Sequence, residues 1–301
     1  AAPASVERAS TQTTGGPTDY VILTTQSIVN ASSKLQQFVN HKTNQGFSVG
    51  VVTESKWGGG TGDTAANRIR AYLQSRYVAD GIVYVLLVGN PNPSTGDVPM
   101  KMLWPRHNKD TYKEAPSDYF YADLTGNWDR DGDGYHGEQD DDFGTGGIDR
   151  FPEVIVGRIP FYGSFSELDS ILQKTINYES GGIGGAWVRN VLLTAKPSDA
   201  STPGYHLGEA IRTNAAVPAG FSTTRVYEEN YGLNPPPDYT PCTYSTVLSA
   251  WQQHAGFHFW WTHGNQTLAS EIITSSRTMY LDDDYPCFTF QTSCLNAYPE
   301  N

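Results

Sequence analysis

The sequence predicts an α/β fold with a mostly parallel sheet, arranged as two tandem α/β units. Short apolar segments of strand character alternate along the chain with longer segments whose apolar residues follow a helical spacing. Strands and helices that alternate in this way need crossover connections, which place helices on both faces of a parallel sheet. The last strands of the pattern also end on residues capable of nucleophilic chemistry, where such folds carry their active sites.

The first unit is predicted at residues 18–150. Its regular elements are a strand at 20–24, a helix at 32–44, a strand at 47–53, a helix at 64–77 and a strand at 83–88. In the first helix Leu35, Phe38 and Val39 form one apolar stripe, and Gly46 marks its end. A loop-rich insertion follows the last of these strands.

The second unit is predicted at residues 151–301. Its elements are a strand at 154–158, helices at 166–178, 205–216 and 243–254, strands at 191–194 and 223–227, and strands that begin at Phe257 and Phe288. Residues 1–17 lack the basic start and apolar core of a signal peptide, so they are interpreted as a linker or a processed terminus.

The composition excludes some classes of function. A net charge of −12 argues against nucleic acid or an anionic membrane surface as a partner. No apolar run is long enough to suggest a membrane span. The acidic composition, rich in Tyr, Gly, Thr and Asn, is typical of proteins outside the cell, which favours a secreted or surface-exposed protein.

The chain contains three cysteines, of which two lie in predicted loops. Cys242 is in a proline-rich loop, and Cys287 follows Pro286 at the entrance of a strand. A disulfide between Cys242 and Cys287 is favoured, and it would leave Cys294 as the free thiol. The alternative is three reduced cysteines, two of them buried.

His263 and Cys294 are the predicted catalytic pair. Each directly follows one of the last two apolar strands, so the two side chains meet if these strands are neighbours in a parallel sheet. An imidazole can take the proton of a cysteine nucleophile and later protonate the leaving amine. The alternative is a buried cysteine and a structural histidine; their joint position favours catalysis.

Two further features belong to this prediction. Gly264 permits close backbone approach, so the N–H groups of Gly264 and Cys294 are predicted to form the oxyanion hole. Trp261 lies on the same side of its strand as His263 and is a candidate for the substrate pocket or the core, whereas Trp260 is assigned to the core.

Residues 127–138 contain three aspartates at alternate positions, followed by a glycine, as in the first half of an EF-hand calcium loop. The predicted ligands are Asp129, Asp131, Asp133, the Tyr135 carbonyl, and Glu138 or Asp140. No helices obviously flank the segment, so we expect an isolated Ca²⁺ loop with a structural role. The alternative is an acidic, solvated loop.

Five segments together resemble the gingipain family of cysteine peptidases. They are Thr262-His263-Gly264, Ser293-Cys294-Leu295-Asn296, and the segments 83–90, 117–121 and 154–160, which occur in the family's order. The resemblance extends from about residue 20 to the end of the chain. It implies a caspase-like, three-layer αβα fold in two parts, endopeptidase activity, and catalytic roles for His263 and Cys294.

The chain also departs from the family pattern. Where gingipains carry an acidic residue that supports the histidine, this sequence has Lys196, although caspase-like enzymes can work with a dyad. Ala297 replaces a common glycine. Asp199 is the nearest candidate for the acidic residue that selects basic side chains in the substrate pocket, but the match does not carry over a preference for arginine or lysine.

We therefore expect a calcium-stabilised, secreted cysteine endopeptidase that acts on protein or peptide substrates. The alternatives are a catalytically inactive caspase-like scaffold and a calcium-stabilised surface adhesion module. The chain ends seven residues after Cys294, so the catalytic unit is expected to be incomplete there, with a further C-terminal segment removed or present as a second chain.

Overall fold

The structure is a computed structural model that describes residues 18–108, 113–181, 185–199, 201–296 and 299–300. The predicted linker at 1–17 lies outside these residues, as does Ala297. The chain divides into two units: the first extends to Gln173 and includes Pro299 and Glu300, and the second begins at Lys174.

The first unit contains six strands. They are β1 (Tyr20–Leu23), β2 (Val49–Val52), β3 (Tyr84–Gly89), β4 (Lys101–Leu103), β5 (Ala115–Ser117) and β6 (Ile155–Pro160). Its helices are α1 (Gln26–Ala31), α2 (Leu35–Asn44), α3 (Glu54–Trp57), α4 (Gly62–Asp80), a 3₁₀ helix at Tyr119–Tyr121, and the start of α5 (Phe165–Glu179). Four strands form a parallel sheet in the order β2-β1-β3-β6, and β4 pairs with β5 in an antiparallel ribbon.

Alternation along the strands builds the core of this unit. Val21 and Leu23 of β1 and Leu87 of β3 are buried in one cluster with Ile69 and other apolar side chains of α4. These side chains recur every second residue on the strands and every third or fourth residue on the helix, so one face of each element is apolar.

The boundary between the two units differs from the prediction. The sequence analysis assigns the segment 154–158 to the second unit, but β6 pairs in parallel with β3, with Ile155 opposite Tyr84. It is therefore an edge strand of the first sheet, reached through the long loop region that follows β3. Sequence periodicity identifies a strand but not the sheet that it joins.

The second unit contains the remaining strands. They are β7 (Asn190–Ala195), β8 (Ser222–Tyr227), β9 (Phe257–Trp261), β10 (Gly264–Asn265), β11 (Leu268–Ala269), β12 (Ile273–Thr274) and β13 (Phe288–Thr292). Its helical elements are the end of α5, 3₁₀ helices at Ala186–Arg189 and Ser275–Tyr280, α6 (Tyr205–Ile211), a π-helix at Arg212–Ala216, and α7 (Tyr244–Trp251). The main sheet is parallel, in the order β13-β9-β7-β8, and β10, β11 and β12 form a small antiparallel sheet.

The second sheet has helices on both faces. Leu192 and Trp260 are buried with side chains of α7, whereas Leu193 and Trp261 are buried with side chains that include Ile211 of α6. Because successive side chains of a strand point to opposite faces, neighbouring residues of β7 and β9 fill two different cores. The unit therefore has helix, sheet and helix layers.

The long, periodic elements follow the sequence prediction closely, and the short ones do not. The strands β4, β5 and β10 to β12 have two or three residues each, too few for an alternating pattern to be recognised. Among the described residues, no helix has the length and apolar character needed to cross a membrane.

Candidate functional site

Three strands of the second sheet end in register at one edge. Ala195 of β7 and Thr292 of β13 both lie opposite Trp261 of β9. The ladder continues one residue further on each side, since Thr262 N–H donates to the Thr292 carbonyl (3.1 Å) and Lys196 N–H donates to the Trp261 carbonyl (3.0 Å). The loop after each strand therefore starts at the same level of the sheet.

This register brings the segments of His263 and Cys294 together. A methyl group at position 264 would lie 2.9 Å from Cβ of Ser293 and 3.0 Å from the carbonyl oxygen of Cys294. Only glycine fits such a separation without displacing the backbone of Cys294. The predicted neighbouring strands are thus present, and Gly264 has the predicted close approach.

His263 and Cys294 are both exposed, as a site that meets a large substrate requires. Nε2 of His263 lies 3.2 Å from the carbonyl oxygen of Ser198, in the loop after β7. A carbonyl oxygen can only accept a hydrogen bond, so Nε2 carries the proton and Nδ1 is the ring's basic nitrogen. This contact cannot be predicted from residue types, because every residue carries the same backbone carbonyl group.

Lys196 does not orient the histidine. Its Nζ pairs with Oε2 of Glu228 at 2.8 Å, so it neutralises a carboxylate near the strand ends. The position at which gingipains carry an acidic residue is therefore a structural ion pair here, and the contact of His263 with this loop is made by the main chain at Ser198.

The disulfide predicted between Cys242 and Cys287 is wrong, because all three cysteines are free. Cys242 is fully buried, and Cys287 is partly buried against the same apolar cluster. Burial disfavours the charged form, and it raises the pKa of both thiols to about 12. Of the three cysteines, Cys294 is the exposed one.

A second histidine near the site is structural. His258 of β9 is completely buried, and its Nε2 lies 2.9 Å from Oγ1 of Thr194. Desolvation lowers the pKa of His258 to about 3, so this ring is neutral at physiological pH and has no access to substrate.

The two candidates for the substrate pocket, Trp261 and Asp199, have different surroundings. Trp261 is 8% exposed and is part of the core on the α6 face of the sheet. The carboxylate of Asp199 is exposed and accepts hydrogen bonds from the Ser201 N–H (2.7 Å), the Ser201 hydroxyl (2.6 Å) and the Thr202 hydroxyl (3.2 Å). Asp199 therefore closes its own loop, as short polar side chains commonly do in turns.

The acidic loop of the first unit brings carboxylates together as a cation site requires. One oxygen from each of Asp129, Asp131 and Asp133 lies within 4.8 Å of the others. Gly134 has φ of 91°, the left-handed conformation predicted for the tight turn. No helix flanks the loop in the described part of the chain, in agreement with an isolated loop.

Glu138 groups with Asp131 and Asp141 in this acidic loop. It is 4% exposed, and its Oε2 is buried without a hydrogen bond from the described residues. Burial raises the pKa of Glu138, with the nearby Asp133 as the next cause. A buried carboxylate without a partner is costly, so its surroundings fit a bound cation.

Of the two carboxylates predicted to close the loop, Glu138 belongs to the carboxylate groups and Asp140 does not. Asp141, not Asp140, groups with Asp131 and Glu138. The Asp142 N–H donates to the Glu138 carbonyl (3.0 Å), which makes residues 138–142 one helical turn. Residues three apart in such a turn share a face and residues two apart do not, which explains the exchange.

Asp142 holds the loop in shape. Its buried carboxylate accepts hydrogen bonds from the backbone N–H groups of Arg130 (2.6 Å), Gly137 (2.7 Å) and Glu138 (3.0 Å). These bonds fix the two ends of the acidic loop before any cation binds, so the carboxylate cluster is largely preformed.

Comparison with known proteins supports the fold described above. Residues 13–299 match the model of peptidase family C25, which confirms the resemblance drawn from the sequence. No curated protein sequence matches the chain.

Two solved structures share the fold. One is the crystal structure of the Arg-specific cysteine proteinase gingipain R, with a TM-score of 0.65 and 17% identity over 94% of this chain. The other is the complex of the pro- and mature domains of RgpB from Porphyromonas gingivalis, with a TM-score of 0.63 and 17% identity over 91% of this chain. The match covers 55% of each of those chains, so this chain spans about half their length. The predicted caspase-like αβα fold is confirmed.

The contact at Gly264 gives the first prediction. We expect Gly264→Ala to lower the free energy of unfolding by about 1–3 kcal/mol, because the added methyl group overpacks Cβ of Ser293 and the carbonyl oxygen of Cys294. Gly157→Ala is the matched control, since a methyl group there meets nothing within 4 Å, and it should change the value by less than about 1 kcal/mol. Urea unfolding measures the free energy of unfolding of both variants. Equal changes in the two variants would contradict the close approach of Gly264 to Ser293 and Cys294.

Proposed function

This chain belongs to peptidase family C25, and on that premise we propose that it is a cysteine endopeptidase in which Cys294 is the nucleophile and His263 the general base. The observation that carries the proposal is the close approach of Gly264, directly after His263, to Cβ of Ser293 and the carbonyl of Cys294 at the end of two paired parallel strands. Both side chains are exposed there, so a peptide can reach them.

The proposed reaction uses the Cys294 thiol and the basic Nδ1 of His263. Cys294 Sγ forms a bond to the scissile carbonyl carbon while Nδ1 of His263 accepts the thiol proton. The C–N bond then breaks, and the amine leaves with that proton, which leaves a thioester on Cys294. Water hydrolyses the thioester, and the sulfur regains its proton through His263.

The backbone supplies the stabilisation of the tetrahedral intermediates. We assign the oxyanion to the N–H groups of Gly264 and Cys294. The Ser270 N–H donates to the His263 carbonyl at 2.7 Å, so that carbonyl faces β11. Backbone groups of successive residues alternate sides along an extended strand, which directs the Gly264 N–H away from β11 and leaves it available to substrate.

The Ser198 carbonyl is the third member of the site in this proposal. It orients the ring of His263 through Nε2 and favours the tautomer in which Nδ1 is the base. It also stabilises the imidazolium that forms after proton transfer, by an ion–dipole interaction rather than by a carboxylate charge.

We further propose that the acidic loop binds Ca²⁺ through Asp129, Asp131, Asp133, Glu138 and Asp141, with the Tyr135 carbonyl as an additional ligand. The support is the grouping of these carboxylates and the buried oxygen of Glu138 that lacks a hydrogen bond. All of these ligands are oxygens, which Ca²⁺ prefers. The ion would neutralise the carboxylates and has no part in the reaction.

We also propose an extracytoplasmic location and protein or peptide substrates. A loop of this kind, built on exposed carboxylates, fits the higher calcium concentrations found outside the cell. We propose in addition that a further polypeptide segment pairs with β13, as a separate chain of the same protein. The support is that β13 is an edge strand whose Phe288 and Phe290 are more than half exposed.

Peptide cleavage tests the catalytic assignment. In the presence of Ca²⁺, the protein is expected to cleave members of a diverse peptide library, and Cys294→Ala is expected to abolish cleavage because the nucleophile is lost. We expect His263→Ala to reduce the rate by about 10²–10⁴-fold, the usual contribution of general acid–base catalysis. Mass spectrometry of the products measures both and reveals the preferred residue.

Cys287→Ala is the matched control, because this partly buried thiol precedes the first residue of β13, at the opposite end of the strand from Cys294. It is expected to retain the activity of the parent protein. Absence of cleavage by any of the proteins would favour the inactive scaffold, and equal cleavage by the parent protein and Cys294→Ala would mean that another residue is the nucleophile.

Calcium binding is tested by thermal unfolding. We expect saturation with Ca²⁺ at 100 times its Kd to stabilise the protein by about 2.7 kcal/mol relative to a chelated sample. Asp131→Asn and Glu138→Gln should remove most of this difference, because each deletes a charged ligand. Asp140→Asn is the matched control and should retain it, since Asp140 lies outside the carboxylate groups. The same melting temperature with Ca²⁺ and with chelator would contradict a Ca²⁺ site in the acidic loop.

A further inference from the structure

The residue before the nucleophile takes part in a continuous chain of side-chain hydrogen bonds. The Ser293 hydroxyl accepts a hydrogen bond from Nε1–H of Trp260 (3.1 Å) and donates one to Oδ1 of Asn296. An indole N–H can only donate and an amide oxygen can only accept, so the direction of both bonds is fixed. Trp260 is 3% exposed, which anchors this chain of bonds in the core.

Asn296 links this chain to the segment that follows His263. Its Nδ2 donates to the carbonyl oxygens of Asn265 (2.7 Å) and Leu268 (2.9 Å). These two carbonyls flank the turn between β10 and β11, the hairpin that starts directly after His263. The amide thus uses one acceptor and two donors, a combination that, among side chains of this length, only asparagine provides.

The turn that carries Cys294 needs such support. Leu295 has φ of 54°, in the left-handed region that costs a non-glycine residue about 1 kcal/mol or more. This turn also lies in tight contact with Gly264. Side chains on both sides of Cys294, Ser293 and Asn296, bond it to elements outside the turn, so its geometry does not depend on local backbone preference.

We propose that Trp260, Ser293 and Asn296 are positioning residues that hold the Cys294 turn in a fixed place against the His263 hairpin. The inference rests on the proposed function, in which Cys294 attacks and His263 takes the proton. None of the three acts on substrate atoms. Their role is to keep the sulfur and the imidazole in a reactive geometry, where a displacement of about 1 Å can cost 10²-fold in rate.

Three substitutions each remove one or two hydrogen bonds from this network. Ser293→Ala deletes the hydroxyl, Trp260→Phe deletes the indole N–H, and Asn296→Asp replaces the two N–H donors by a carboxylate oxygen that faces two carbonyls. Gln291→Ala is the control from the same strand, because its side chain is exposed and contacts the Thr289 hydroxyl.

The first readout is hydrogen exchange of residues 263–269 and 292–296, measured by mass spectrometry on the calcium-loaded protein. We expect Ser293→Ala and Asn296→Asp to increase exchange in both segments together, with Gln291→Ala unchanged. This readout does not depend on activity, so it decides the coupling even if the chain cleaves no peptide. Unchanged exchange in Ser293→Ala and Asn296→Asp would overturn the proposal.

The second readout is kinetics per active site, with the active fraction determined by titration. We expect kcat to fall about 10–100-fold in Ser293→Ala and Asn296→Asp with little change in KM, because binding is retained and the reactive geometry is lost. A purely structural role would reduce the active fraction and leave kcat unchanged, which would overturn the positioning role. Absence of Cys294-dependent cleavage in the parent protein would refute the proposed function, while hydrogen exchange would still decide the coupling.

Discussion

The parallel register of β7, β9 and β13 is the constraint on which the site depends. Three strands that run in the same direction and end at the same level must release their following loops at one edge of the sheet. Those loops carry Ser198, His263 and Cys294, which lie far apart in sequence. A shift of one residue in the pairing of β9 would exchange the faces of Trp260 and Trp261 and bury both in the wrong core. The two hydrophobic cores therefore determine the register of β9, and this register determines which loops meet at the edge of the sheet.

Burial separates the reactive groups from chemically similar ones in the same unit. His258 and His263 lie on the same strand and the loop after it, yet the first is enclosed by the core and the second is exposed. Cys242 and Cys287 are held as neutral thiols by desolvation, whereas Cys294 lies in a turn at the surface. Burial thus distinguishes the exposed His263 and Cys294 from the buried His258 and Cys242 and the partly buried Cys287.

Much of this arrangement was predictable from the sequence, and the exceptions share a physical cause. Alternating apolar segments and a histidine and a cysteine after strands are local patterns. They predicted the α/β architecture, and the two strands that precede His263 and Cys294 pair in parallel. Tertiary packing determines which sheet β6 joins and leaves Cys242 and Cys287 as free thiols. A single turn of backbone brings Asp141, rather than Asp140, to the carboxylate group. The contact of the Ser198 carbonyl with His263 is invisible in sequence, since every residue type offers the same carbonyl group.

The alkylation rates of the three cysteine thiols test the assignment of Cys294 as the nucleophile and His263 as its base. Iodoacetamide is applied to the native, calcium-loaded protein and to His263→Ala, and the alkylation rate of each cysteine is followed by mass spectrometry of its peptide. We expect Cys294 to react at least about tenfold faster than Cys242 and Cys287, and to react more slowly in His263→Ala, because the imidazole accepts its proton. A Cys294 that reacts at the same rate in both proteins would contradict the assignment of the pair.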